Sequence, residues 1–164
     1  MSLITLKDVR ENEEVKNFLR IAATQMDVLG YTEHSFRHVG IVSKVAGDIL
    51  QKLDHDEREI ELARIAGYLH DIGNAINRVD HAHYGAILAY NILTKMGMDF
   101  IEAGKIMHAI GNHDESSGTA VSNISAALIL ADKSDVHRSR VTNKDFANFD
   151  KHDRVNYAVE NSRV

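Results

Sequence analysis

The sequence has no cysteine, no proline and no tryptophan, and aromatic residues make up only 6% of it. Without cysteine there is neither a disulfide nor a thiolate metal site, so any bound metal must be held through nitrogen and oxygen. The lack of proline, with many Ala, Leu, Ile, Lys and Glu residues, favours long uninterrupted helices over a turn-rich β architecture. The expected fold class is all-α. No apolar run approaches the roughly twenty residues needed to span a bilayer. The N-terminus also lacks a basic stretch followed by an apolar core and a cleavage site. These absences make the cytoplasm the expected compartment and give a membrane no role.

What remains is ordinary for a globular chain. A length of 164 residues, 44% hydrophobic and 26% charged, fits one domain spanning 1–164 with a sizeable core. No internal repeat, low-complexity tract or linker divides it. Acidic residues (24) outnumber Lys and Arg (19), for a net charge of −5, which argues against a broad surface for a nucleic-acid polymer. A small basic pocket for phosphates stays open. Ten histidines make a nitrogen and oxygen metal site practicable.

Helical phase selects four candidates. Leu62, Ile65, Ala66, Leu69 and His70 follow the three-four spacing of one buried face, so His70 points inward. Asp71 follows it, and Gly73 is expected to end the helix at a positive φ. An ionised carboxylate in that setting needs a partner or a cation. One helix earlier, Val42, Val45, Ala46, Ile49, Leu50 and Leu53 repeat the rhythm, and stepping back a turn reaches His38, with His34 aligned a turn before it. Near the end, a helix over about 120–138 puts Val121, Ile124 and Leu128 inside with Asp132 on the same face, and no Lys or Arg lies within a turn upstream of Asp132.

The other segments read as scaffold. A helix over 6–29 places Val15, Phe18, Leu19, Ala22 and Met26 on one face, and Asp56 with Glu59 has capping-box spacing. A loop through Arg78, Asp80, His81 and His83 leads to a helix with Tyr84, Ile87, Leu88 and Ile92 inside. Gly97 closes that helix, Asp99 caps the next, and residues 111–118 form a polar loop. The tail after Arg140 offers one short helix over 150–160 with Val155 and Val159 as its aliphatic anchors.

A His opening one helix, the segment Leu69-His70-Asp71-Ile72-Gly73 and the pair Ala131-Asp132 resemble, in order and context, the HD-domain superfamily of metal-dependent phosphohydrolases. The resemblance covers about 32–140, with the helix over 6–29 before it and the tail 141–164 after. It implies a five-helix core and hydrolysis of phosphoester or phosphoanhydride bonds, often in nucleotides. His81, in a segment similar to the family's His-x-x-x-Gly-Ala, and His113 match second-metal ligands of dinuclear members, with His83 as the alternative to His81. Asp132-x-x-Asp135-x-x-Arg138 is similar to the late motif of bacterial dinucleoside polyphosphate hydrolases of this type, which would set Arg138 on phosphate. An Asp135–Arg138 helix ion pair is the bland alternative.

Where many relatives carry Lys after His-Asp-x-Gly this chain has Asn74, leaving Arg78, Lys133 and Arg138 as candidate phosphate partners. The resemblance thus implies one ion on His38, His70, Asp71 and Asp132, a second on His81 and His113, and Asp71 between them, with a metal-bound hydroxide as nucleophile. His70, Asp71 and Arg138 are the expected catalytic set. The donors suit iron, manganese, zinc, cobalt or nickel better than magnesium alone. The expected partner is a small phosphorylated substrate such as a nucleotide, and a homodimer is compatible with the sequence. A non-catalytic metal- or nucleotide-binding protein is the alternative function.

Overall fold

The computed structural model describes residues 3–32 and 35–164. His34 therefore lies outside the described residues. These residues form α-helices and short 3-10 turns and contain no strand, so the fold is all-α. No helix among them is long and apolar enough to cross a membrane.

Helix boundaries follow from capping side chains that satisfy otherwise unbonded first-turn amides. Thr5 starts α1 (Leu6–Glu11) with a capping box. Asn12 then leaves the helix at ψ 123° and caps α2 (Glu13–Val28) by accepting from the Val15 amide. The helix expected over 6–29 is thus two helices, divided where an Asn serves better as a cap than as a helix interior. Ser35 caps α3 (Phe36–Lys52) and Asp56 caps α4 (Glu57–Leu69). The reciprocal half of a capping box is missing at Asp56, because the Glu59 carboxylate meets His55 Nδ1 at 2.8 Å instead. Leu53, the last position of the sequence rhythm, ends outside α3 and is exposed.

The core sits around α4, whose residues Ile60, Leu62, Ala63, Ile65, Ala66, Tyr68 and Leu69 are all buried. It packs against α3, α6 (Phe100–Gly111) and α7 (Asn123–Ser134). His70 follows directly, and a 3-10 turn over Ile72–Ala75 carries the chain away. Gly73 does not take a positive φ; among the described residues only Gly30 and Gly97 are glycines that do. Its role is close approach, since a Cβ there would lie 1.9 Å from the His81 carbonyl oxygen and 2.5 Å from the Gly85 nitrogen.

That tight contact explains a second departure. α5 (His81–Lys95) begins at His81 itself, and its inward face is Ala82, Gly85, Ala86 and Ala89 followed by Ile92 and Leu93. Tyr84 and Ile87, expected inside, are exposed because small side chains are needed where α5 lies on the Ile72–Ala75 turn. Gly97 closes α5 at φ +95° as expected.

Helix α7 is shorter than expected. It runs from a Ser122 cap to Ser134, so Val121 precedes it, exposed, and Asp135 to Arg140 lie past its end. An Asp135–Arg138 pair on one helix is therefore not formed. In the tail, α8 (Lys151–Ala158) is held by Phe149, Asp153 and Asn156, all buried, whereas Val155 is exposed. Phe146 and Phe149 pack edge-on or tilted against each other and Tyr157, supplying apolar contact that the aliphatic pattern did not reveal.

Candidate metal centre

Six side chains proposed from the sequence converge beside an open cavity of about 320 Å³. His38 comes from the first turn of α3, His70 and Asp71 from the end of α4, His81 from the first residue of α5, His113 from beyond α6, and Asp132 from the last turn of α7. The four histidines and Asp71 are buried, and Asp132 is nearly so. His83 is exposed, with its Nδ1 3.7 Å from an Asp80 carboxylate oxygen, so the geometry brings in His81 and leaves His83 out. His108 is exposed as well.

Each ring is oriented from behind. Nδ1 of His70 lies 2.8 Å from the Gly67 carbonyl, that of His113 2.7 Å from the Ile110 carbonyl, and that of His81 3.1 Å from the Arg78 carbonyl. Nδ1 of His38 lies 2.7 Å from Asp135 Oδ2. Carbonyls and carboxylates can only accept, which assigns a proton to every Nδ1 and turns every Nε2 toward the centre. This is the arrangement by which outer partners fix a ligating imidazole.

The inward atoms form two adjoining groups. His38 Nε2 is 3.6 Å from Asp71 Oδ2 and 3.3 Å from Asp132 Oδ1, and His70 Nε2 is 3.3 and 3.5 Å from the same two oxygens. Asp71 Oδ1 faces the other way, 3.7 Å from His81 Nε2, which itself lies 3.2 Å from His113 Nε2. Asp71 thus presents one oxygen to each group. Ligands about 2.0–2.2 Å from a common divalent ion stand about 3.0–3.6 Å apart, and the donor atoms here lie 3.2 to 3.7 Å from one another.

The electrostatics make the same point. Burial lowers the pKa of His81 and takes that of His113 down to about 4, helped by the charge of His70, so both rings are neutral at pH 7. Two neutral rings whose Nδ1 protons point outward set two lone pairs face to face at 3.2 Å. Arg78 Nη1, 3.3 Å from His81 Nε2, can donate to one of these lone pairs, and a metal ion between the two nitrogens would take both. At His70, burial is outweighed by Asp71 and Asp132, which raise its pKa to about 10, and its buried Nε2 faces their oxygens at 3.3 and 3.5 Å. Desolvation of Asp132 is overcome by His38 and His70, which hold its pKa well below the usual carboxylate range. The donors are nitrogen and oxygen only, buried and preoriented, and fit a divalent transition metal. Three overlapping groups could each hold an ion: His38, His70 and Asp71; His70, His113 and Asp132; and Asp71, His81 and His113.

Several residues around this centre were not anticipated, or not in these roles. Asn74 is buried and its Nδ2 donates to Asp71 Oδ1 at 2.9 Å, fixing that carboxylate. Arg78 Nη1 lies 3.4 Å from Asn74 Oδ1 and 3.3 Å from His81 Nε2, with the guanidinium over the Tyr31 ring. Lys133 bridges Asp132 at 2.8 Å and Glu115 at 2.7 Å, so the cation absent upstream of Asp132 is supplied by the next residue. Asp114 Oδ2 lies 3.5 Å from His81 Nδ1.

Arg138 does not line the cavity. Its guanidinium meets Glu160 at 3.1 Å and covers Tyr157, because the end of α7 at Ser134 turns it off the helix face that the sequence spacing assumed. Arg140 lines the cavity instead, its Nη1 donating to the Asp135 carbonyl at 2.6 Å. The only sequence signal for Arg140 was its charge just past a helix end.

By class, then, this is an all-helical protein whose buried His and Asp side chains could hold divalent cations. Residues 31–145 match the HD domain family, and the chain belongs to it. Its structure is similar to the 1.45 Å crystal structure of a protein described as a predicted HD superfamily hydrolase from an uncultured Thermotogales bacterium. The TM-score is 0.55 at 26% identity, over 80% of this chain and 74% of that one. It is also 28% identical over 153 residues to an uncharacterized protein of Methanocaldococcus jannaschii, covering 79% of this chain. The chain spans 58% of the length of that curated relative.

Proposed function

We propose that this protein is a metal-dependent phosphohydrolase that cleaves a phosphoester or phosphoanhydride bond in a small, nucleotide-like substrate. The observation that carries the reading is the pair of facing nitrogens, His81 Nε2 and His113 Nε2, set 3.2 Å apart beside a second donor group and joined to it by Asp71. His38, His70, Asp71 and Asp132 would hold one ion, and Asp71, His81 and His113 the other. When bound, such ions bring the pKa of coordinated water toward neutrality and polarise a phosphoryl oxygen. The donor chemistry suits iron, manganese, zinc, cobalt or nickel.

The chain's own residues supply orientation and charge. Asn74 holds the Asp71 carboxylate so that its two oxygens serve different donor groups. Arg78, Lys133 and Arg140 line the cavity and offset the charge of a phosphate entering it. No serine or cysteine nucleophile is required. A volume of about 320 Å³ is at the low end for small-molecule sites and suits one nucleotide rather than a polymer. A dinucleoside polyphosphate would leave one nucleoside outside it. A non-catalytic binding protein is the alternative, and Asn74 in place of the usual Lys is the departure that would support it. Hydrogen-bonded to Asp71, Asn74 serves a metal centre in either case and favours neither.

The test joins elemental analysis of protein purified without added metal or chelator to phosphate release from nucleoside mono-, di- and triphosphates and dinucleoside polyphosphates. About two ions per chain are expected, with release abolished by chelator and by Asp71→Ala while the helical circular dichroism persists. Turnover in pure, metal-free or Asp71→Ala protein would remove the reading.

A further inference from the structure

The family match ends at residue 145, and α8 begins at Lys151, so the whole of α8 lies beyond it. Even so, Asp150, Lys151, His152, Val155 and Asn156 line the same cavity as Asp71, His81, His113 and Asp132. The placement is built into the fold. The Arg138 amide donates to the Val159 carbonyl at 2.8 Å and the His137 amide to Asn156 Oδ1 at 3.2 Å. Phe146, Phe149 and Tyr157 pack together, with Tyr157 centroid distances of 5.7 and 5.5 Å. Asp153 is buried and joined to Asp150 by a capping box.

The cations lining the cavity differ in how far they are already committed. Lys133 is shared by Asp132 and Glu115. Arg140 donates to the Asp135 carbonyl and has its Nε 3.6 Å from the Asp135 carboxylate. Arg78 is divided between Asn74 and His81 and lies over Tyr31. Asp150, the acidic member of the α8 wall, is occupied by the Asp153 amide at 2.8 Å. The Lys151 side chain, exposed at this wall, makes no hydrogen bond or ion pair among the described residues. A lysine ammonium offers three donors to a phosphate without needing a fixed fork geometry.

We propose that Lys151 binds an anionic group of the substrate beyond the phosphoryl that is cleaved, so that the α8 wall favours substrates with two or more linked phosphates over a single phosphate. The inference rests on the phosphohydrolase reading of the centre and adds to it a selectivity element from outside the family-matched segment. His152, next to it in the same wall, bounds that subsite.

Two non-hydrolysable probes separate the possibilities: methylenediphosphonate, with two linked phosphonates, and methylphosphonate, with one. Calorimetric titration of the full chain and of Lys151→Ala should show the variant binding the diphosphonate about tenfold more weakly, from loss of one charge-assisted hydrogen bond. The monophosphonate should weaken by less than about threefold, and Lys151→Arg should recover most of the difference. Equal weakening of both probes, or an unchanged ratio in Lys151→Ala, overturns the assignment. Exposure of Lys151 keeps the fold out of the comparison. Phosphate release from the nucleotide panel tests the centre separately: no release with the probe ratio intact overturns only the catalytic reading.

Discussion

His38 Nδ1 lies 2.7 Å from Asp135 Oδ2, while Nε2 of the same ring faces Asp71 and Asp132. Asp135 also faces Arg37 Nη2 at 3.5 Å and Arg140 Nε at 3.6 Å. Desolvation would raise its pKa, but His38 and then Arg140 lower it, so it is a carboxylate at neutral pH. It acts through His38 by fixing the tautomer and ring plane. Asp135→Ala should weaken metal binding by about 10–100-fold, the usual effect of removing an outer partner of a ligating histidine. Asp135→Asn keeps an acceptor and should lose less. Competition with a chromophoric chelator measures both, and wild-type affinity in Asp135→Ala would remove this role.

Gly73 lies where the Ile72–Ala75 turn meets the first turn of α5, and α5 carries His81. An added Cβ would fall 1.9 Å from the His81 carbonyl oxygen, a backbone atom that cannot rotate away. Gly73→Ala should therefore destabilise by about 3 kcal/mol or more and shift His81 away from His113. Gly40, inside α3, has nothing within 4 Å of its added Cβ. Gly40→Ala should stabilise by about 0.5–1 kcal/mol. Urea denaturation of both variants checks the contrast, and similar midpoints would contradict the packing account.

The parts of the centre legible in the sequence are those set by simple helical phase. His38, His70 and Asp132 each lie a whole turn from aliphatic residues on a buried face, and Asp71 follows His70. His81 and His113 came from family resemblance, because a helix start and a loop carry no phase. Phase also failed along α5. The rule that the largest apolar residues face inward reverses where two backbones nearly touch, so Ala82, Gly85 and Ala86 went in and Ile87 went out. Asp135 and Arg140 were illegible in their roles because α7 stops at Ser134, and irregular backbone then decides where each side chain points. The contribution of α8 was hidden for a related reason. It is anchored by an aromatic cluster and buried polar groups, while the aliphatic pattern pointed to Val155, which is exposed.

Protonation of the metal-free centre is uneven and sets a pH dependence. His70, against burial, is raised by Asp71 and Asp132 from its ordinary 6.5 to about 10. Its contribution to stability is fully present below the unfolded value of about 6.5 and is lost as pH rises through about 10. His113 is the reverse case, lowered to about 4 by burial and by His70. Between about pH 6.5 and 4 the unfolded chain binds a proton that folded His113 refuses, so stability falls as pH falls, and lowered His81 adds to that loss. Chelator-treated protein should therefore be most stable near pH 6.5, with urea midpoints declining on both sides. A bound divalent ion takes the place of the His70 proton, so its stabilising effect should grow as pH rises above 6.5. A metal-free midpoint that climbs steadily from about pH 6.5 to 10 would show that Asp71 and Asp132 do not hold a proton on His70.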